Sequence, residues 1–242
     1  MPPIRINIPL YLPAWLYRLL RYLKHLVFGD KGRRLNLWGD RDVEWSFISS
    51  EIPTGGGRAL DFGCGGSYMS LIAAFRGFQV TALDLETQNP PWRHLMVNFV
   101  VGELFKMDFP KNYLDLIINC STIEHVGLAG RYGVKENLPN GDLEVMVYLK
   151  ELMKVGSVML LTIPVGQDAV FSPLHRVYGK ERLPLLLAGY IVEKELFWVK
   201  DRQNCWIQTD KETALSLQTS ALSSDPLKNI YALGCFVLRR PV

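Results

Sequence analysis

Asp61, Gly63, Gly65 and Asp84 carry the clearest chemical signal in this 242-residue chain. The run Ala59-Leu60-Asp61-Phe62-Gly63-Cys64-Gly65-Gly66-Ser67 lies between a stretch that reads as a strand and one that reads as a helix. Glycines let a backbone pass close to a ligand, and a helix start just beyond them presents N–H groups. Twenty-one residues beyond Gly63, Asp84 ends the next apolar stretch, a place where a carboxylate can accept both hydroxyls of a ribose. A second set surrounds two histidines. His125 and His175 each follow a predicted strand, at the edge where open α/β sheets bind ligands. An imidazole there can take the proton of an attacking hydroxyl, because its pKa lies near working pH. Glu124, Arg131, Tyr132 and Arg176 flank these histidines and suit contact with an acceptor. A guanidinium there fits a phosphate or carboxylate. Arg41, Asp42, Glu44 and Trp45 could form a lid, but they read first as a solvated helix face.

The elements that must position these residues alternate. A helical lead-in is predicted around 42–49, closed by Pro53 and the Gly55-Gly56-Gly57 turn. Strands are predicted at 58–62, 78–83, 96–101, 114–119 and 158–163. A helix is predicted over 67–75 with Ser67 as its N-cap and Gly77 as its stop. The connection 84–95 contains Asn89-Pro90-Pro91 and reads as a loop. A second helix is expected over 143–154, capped by Asp142 and ended by Gly156, and a third around 182–188. Stretches 191–199 and 232–239 complete the pattern. Such alternation implies an α/β fold: a three-layer, doubly wound sheet, mostly parallel, with helices on both faces.

Composition agrees with a packed domain. Hydrophobic residues make up 48% and charged residues 21%, which excludes a disordered or collagen-like chain. The net charge of +3 gives no global call for nucleic acid, but its distribution is uneven. Residues 1–41 hold eight Lys or Arg against two Asp, so the remainder is slightly acidic. The four cysteines, Cys64, Cys120, Cys205 and Cys235, are widely spaced, which suggests neither a disulfide framework nor a structural zinc site. With neither a spanning apolar run nor a signal-peptide pattern, the expectation is a cytoplasmic protein. The chain divides on these grounds into a basic amphipathic extension, 1–34, and a catalytic-sized domain, 35–242. Within the extension, a helix over 13–28 would place Arg18, Arg21, Lys24 and His25 in an arc of roughly 120° on an otherwise apolar surface. That pattern fits a helix lying on an anionic membrane at its inner face; a cap on the domain or a dimer interface fits it equally.

The glycine loop also carries a family resemblance. A dinucleotide fingerprint needs a third small residue where this chain has Tyr68. An acid two residues before the first glycine, here Asp61, is instead the pattern of class I S-adenosylmethionine-dependent methyltransferases. Residues 58–86 resemble their first motif and the ribose-binding acid that follows it. Residues 102–108 resemble the stretch after their third strand, 114–120 their fourth strand, 149–164 their helix–turn–fifth strand, and 189–193 with 234–238 their final antiparallel pair. The resemblance implies a seven-stranded sheet whose last strand is reversed, to which the N-terminal helical extension is added. It implies S-adenosylmethionine as cofactor, held by Asp61, Gly63, Cys64, Gly65, Asp84, Leu85, Asp108 and Asn119, with Asp108 at the adenine amino group. Ser121–Leu128 and Gly130–Gly133 resemble an S-x-E-H-x-G-L-G-R-Y-G signature of an uncharacterised methyltransferase-like family found beside glycan genes, with one extra residue near Ala129. Some RNA-terminal methyltransferases bind metal through comparable Glu and His residues, but they use a further upstream acid where this chain has Ser121, so no metal is expected. The implied reaction is methyl transfer to a hydroxyl of a glycan or lipid-linked acceptor. Methylation of a small secondary metabolite, or a non-catalytic methyltransferase-fold binding subunit, are the alternatives.

Overall fold

The computed structural model describes residues 41–88, 90, 92–130, 132–200, 205–219 and 232–242. The predicted 13–28 helix, the 1–34 extension and Arg131 lie outside the described residues. The chain runs α1 (Arg41–Glu51), β1 (Gly57–Phe62), α2 (Met69–Phe75), β2 (Phe78–Asp84), β3 (Val97–Val101), β4 (Leu114–Cys120), α3 (Gly141–Leu152) and β5 (Met153–Val165). It continues through β6 (Ala169–Phe171), β7 (His175–Val177), α4 (Arg182–Leu186), β8 (Ile191–Lys200), β9 (Trp206–Thr209), α5 (Lys211–Ser216) and β10 (Ala232–Arg239).

The main sheet has the order β3-β2-β1-β4-β5-β10-β8-β9. Its first five strands are parallel, and β10 runs antiparallel between β5 and β8. Alternating side chains of the central strands bury on opposite faces, so those strands read as apolar runs. Leu60, Ile117, Leu161 and Phe236 pack with Val145, Leu149 and Leu152 of α3. Ala59, Leu116, Ile118 and Leu160 pack with Phe47 and Ile48 of α1 and Met69 and Ala73 of α2. The result is the expected mostly parallel, three-layer α/β architecture with β10 reversed.

Four local expectations differ. Among the described residues the sheet has eight strands, because β9 pairs antiparallel with β8 and adds an edge; so short a strand carries little periodic signal. Tyr68, and not Ser67, is the residue preceding α2, and the Ser67 hydroxyl instead accepts from the Met69 N–H at 3.3 Å. Asn140 precedes α3, and Asp142, expected as its cap, is fully buried inside the first turn. Finally, α3 ends at Leu152 and β5 begins at once. The register slips there, Leu114 pairing with Met153 and Leu116 with Val158. The extra residues include Gly156 at φ +77°, and Lys154 turns out to bind Asp115 at 2.7 Å.

Candidate functional site

The first half of the site forms where β1 and β2 end. The N–H groups of Gly63 and Cys64 both donate to the Leu83 carbonyl, at 2.9 and 3.1 Å, curling the chain over the end of β2. Gly63 has φ +67°, and any side chain on it would overlap Thr122. Gly65 and Gly66 are different: a Cβ on either would meet open space. The first glycine therefore serves packing, while the next two leave an uncovered backbone cradle. The Gly65 N–H donates to Asp84 Oδ2 at 2.8 Å, and the Glu86 N–H donates to Asp84 Oδ1 at 3.0 Å. A carboxylate has about four acceptor positions, so these two bonds leave Asp84 able to accept ligand hydroxyls.

Asp61 lies beneath this loop, buried, and accepts from the Ser70 hydroxyl of α2 at 2.5 Å. Burial raises its pKa to about 6; the Ser70 bonds oppose that rise and the Asp84 charge adds to it. The same burial, helped by Asp61 and Asp84, pushes the Cys64 thiol up, so it stays protonated and is no nucleophile. Leu85 and Asp108 are exposed beyond the ends of β2 and β3. Asn119 is displaced from its expected role: it is fully buried under α3, its amide facing Met146 Sδ at 4.0 Å, on the opposite face of the sheet from Asp61 and Ser70.

The second half forms where β4 and β5 end. The Thr122 hydroxyl donates to the carbonyls of Gly63 and Cys120, at 3.3 and 3.2 Å, which joins the two halves. A single helical turn, Ile123–His125, follows. His125 Nδ1 lies 2.6 Å from the Leu174 carbonyl oxygen on the β6–β7 hairpin. A carbonyl only accepts, so Nδ1 carries the proton and Nε2 the basic lone pair of the neutral ring. Buried Glu124 places Oε1 3.8 Å from that Nε2, and Tyr132 meets the ring edge-on at 5.8 Å between centroids. His175 sits on the same hairpin beside Phe171.

Two sequence readings change here. Arg176 does not face an acceptor: it is 2% exposed, donates to the Val126 and Leu138 carbonyls, and stands 3.8 Å from Asp142. Glu44 is not on a solvated face: it is fully buried, its Oε1 accepting from the hydroxyls of Ser121 and, at 2.8 Å, Thr162. Arg41 pairs with its other oxygen at 2.7 Å, and Ser121 is held at φ +48°. Glu44 thus fastens α1 over the ends of β4 and β5. Nearby, Trp45 of α1 meets Tyr68 edge-on at 6.3 Å, at the mouth of the glycine loop. A helix face that is polar in sequence gives no sign of such docking, since the partners are 77 and 118 residues away.

The family described as "Caenorhabditis protein of unknown function, DUF268" matches residues 74–231. The chain belongs to this family. The family's span takes in Asp84, the His125 turn and the β6–β7 hairpin, and begins after the glycine loop. Short stretches resemble ubiquinone biosynthesis O-methyltransferases. Against that of Xylella fastidiosa (strain 9a5c), identity is 46% over 43 residues, 18% of each chain. Against that of Rickettsia akari (strain Hartford) it is 33% over 92 residues, 34% of this chain and 36% of the relative. The matches thus span about a fifth and about a third of those curated relatives. Among solved structures, Burkholderia thailandensis 1,6-didemethyltoxoflavin-N1-methyltransferase, with bound 1,6-didemethyltoxoflavin and S-adenosylhomocysteine, shares the fold. Its TM-score is 0.51 at 15% identity, covering 98% of this chain and 94% of that one. This member of the family therefore has the class I methyltransferase fold.

Proposed function

We propose that the chain binds S-adenosylmethionine over the Gly65–Gly66 cradle and transfers its methyl group to an acceptor hydroxyl. The observation that carries this reading is the open backbone at Gly65 and Gly66 with Asp84 alongside, a donor and acceptor set suited to a nucleoside. The names of the partly matching O-methyltransferases support it. Asp84 would accept the ribose hydroxyls, and Leu85 and Asp108 would flank the adenine. The uncovered Gly65–Gly66 backbone would pass beside the amino-acid portion, where the Asp61–Asp84 pair favours a cation. When bound, the cofactor supplies an electrophilic methyl group on a positively charged sulfur.

On the other side, His125 Nε2 would accept the acceptor's proton as its oxygen attacks, with Glu124 stabilising the imidazolium that forms. Tyr132 and His175 would line the acceptor's approach. Most of the acceleration would come from holding the oxygen in line with the methyl group. The acceptor class that fits best is a hydroxyl of a glycan or of a lipid-linked intermediate. The basic, apolar sequence of residues 13–28 supports a site of action at an anionic membrane surface from the cytoplasmic side. Thermal melts test the cofactor: S-adenosylhomocysteine should raise the melting temperature by mass action, and NAD should not. A shift with NAD alone would overturn the reading.

A further inference from the structure

The hairpin that bonds His125 also carries the buried Arg176, two residues after Leu174. Its guanidinium is forked between two carbonyls, that of Val126, immediately after His125, and that of Leu138, at 3.1 Å. The Leu138 N–H in turn donates to the Gly127 carbonyl at 2.9 Å, closing the 127–138 loop. Gly127 has φ +74°, and a Cβ there would stand 2.5 Å from the Leu138 oxygen, so only glycine permits this closure. Behind Arg176 lies Asp142, fully buried in the first turn of α3. It takes a bidentate bond from Arg182 at 2.5 and 2.9 Å and accepts from the Tyr178 hydroxyl at 3.1 Å. Buried charges are costly unless they are paired and hydrogen-bonded; here two guanidiniums and a hydroxyl surround the Asp142 carboxylate, and the network couples β7, α3, α4 and the histidine turn.

We propose that Arg176 is a positioning residue: it holds the His125 turn against the hairpin so that the Leu174 carbonyl fixes the ring with its proton on Nδ1 and its lone pair on Nε2. Two attachments from one hairpin, one on the ring and one on the backbone just after it, leave the imidazole little freedom to rotate or to exchange tautomers. A lysine cannot substitute, because a single ammonium point charge does not span two carbonyls in a planar fork. The inference rests on His125 being the base proposed above.

The test is imidazole nitrogen NMR on the full chain labelled with 15N-histidine. The four histidines are distinguished by replacing His25, His94 and His175 singly with Gln. In the unmodified protein the His125 ring should show the Nδ1–H tautomer. In Arg176→Lys, with native circular dichroism, that signal should give way to the Nε2–H form that unconstrained histidine favours. A purely structural arginine would lower the melting temperature and leave the tautomer alone, so an Nδ1–H ring persisting in folded Arg176→Lys would overturn the positioning role. An Nε2–H ring in the unmodified protein would overturn the base assignment with it, while the cofactor melts above would still stand. If Arg176→Lys does not fold, 15N-arginine spectra of the unmodified protein decide. Slowly rotating, separate Nη signals for Arg176 are expected, and one freely rotating averaged signal would contradict the clamp.

Discussion

Asp61 is raised to about 6, so the folded protein holds that proton more tightly than the unfolded chain does. Stability from this group is therefore fully present below the ordinary carboxylate range and is lost as pH rises through about 6. In melts between pH 4 and 7, the unmodified protein should lose stability relative to Asp61→Asn, by no more than about 1.4 kcal/mol per pH unit. Parallel pH profiles for the two proteins would contradict the assignment. His125 leads to a kinetic expectation. His125→Gln should lower label transfer from S-adenosylmethionine into glycan or lipid extracts by roughly 10²- to 10⁴-fold and leave cofactor affinity unchanged. Transfer within about threefold of the unmodified rate would remove the histidine from the chemistry. At this scale local spacing was enough to bring Asp61, Gly63, Gly65 and Asp84 together where β1 and β2 end, though Gly63 packs against Thr122 and Asp61 lies buried under the loop. It misplaced Arg176, Asn119 and Asp142, because whether a polar side chain faces ligand or core depends on partners far along the chain.

The glycine loop separates packing from binding within four residues. Gly66→Ala places a methyl group in open space, so it should leave the melting temperature unchanged yet weaken S-adenosylhomocysteine binding. Gly63→Ala drives a methyl group into Thr122 and should destabilise the fold by roughly 1–3 kcal/mol. Melts and calorimetry on the pair check both, and equal effects on stability would contradict the division. The same logic applies to α1. Glu44→Ala strips the acceptor from two hydroxyls and the partner from Arg41, and should cost about 1–3 kcal/mol, read in denaturant melts. A neutral outcome would mean that α1 is held by Phe47 and Ile48 alone. The longer helices were legible from their apolar periodicity, and the central strands from short apolar runs bounded by glycine turns. The β6–β7 hairpin and β9 were not, since strands of three and four residues carry almost no periodic signal, and it is this hairpin that bonds His125.

Across the whole chain, the basic segment 1–41 and the slightly acidic remainder make opposite electrostatic offers. The full chain should sediment with anionic vesicles at low salt, more weakly as ionic strength rises, since exposed charges are screened over about 10 Å at 0.1 M. Protein remaining in the supernatant with anionic vesicles at low salt would contradict the membrane reading and weaken the case for a lipid-linked acceptor. Calorimetry reads out whether a nucleoside cofactor is held between the glycine loop and Asp84. S-adenosylhomocysteine is titrated into the unmodified protein and into Asp84→Ala with native circular dichroism. Saturable binding is expected for the first and an affinity lower by roughly tenfold or more for the second, because each lost hydrogen bond to a charged acceptor is worth about 1.5–3 kcal/mol. Equal affinity for the two proteins, or none for either, would contradict that expectation.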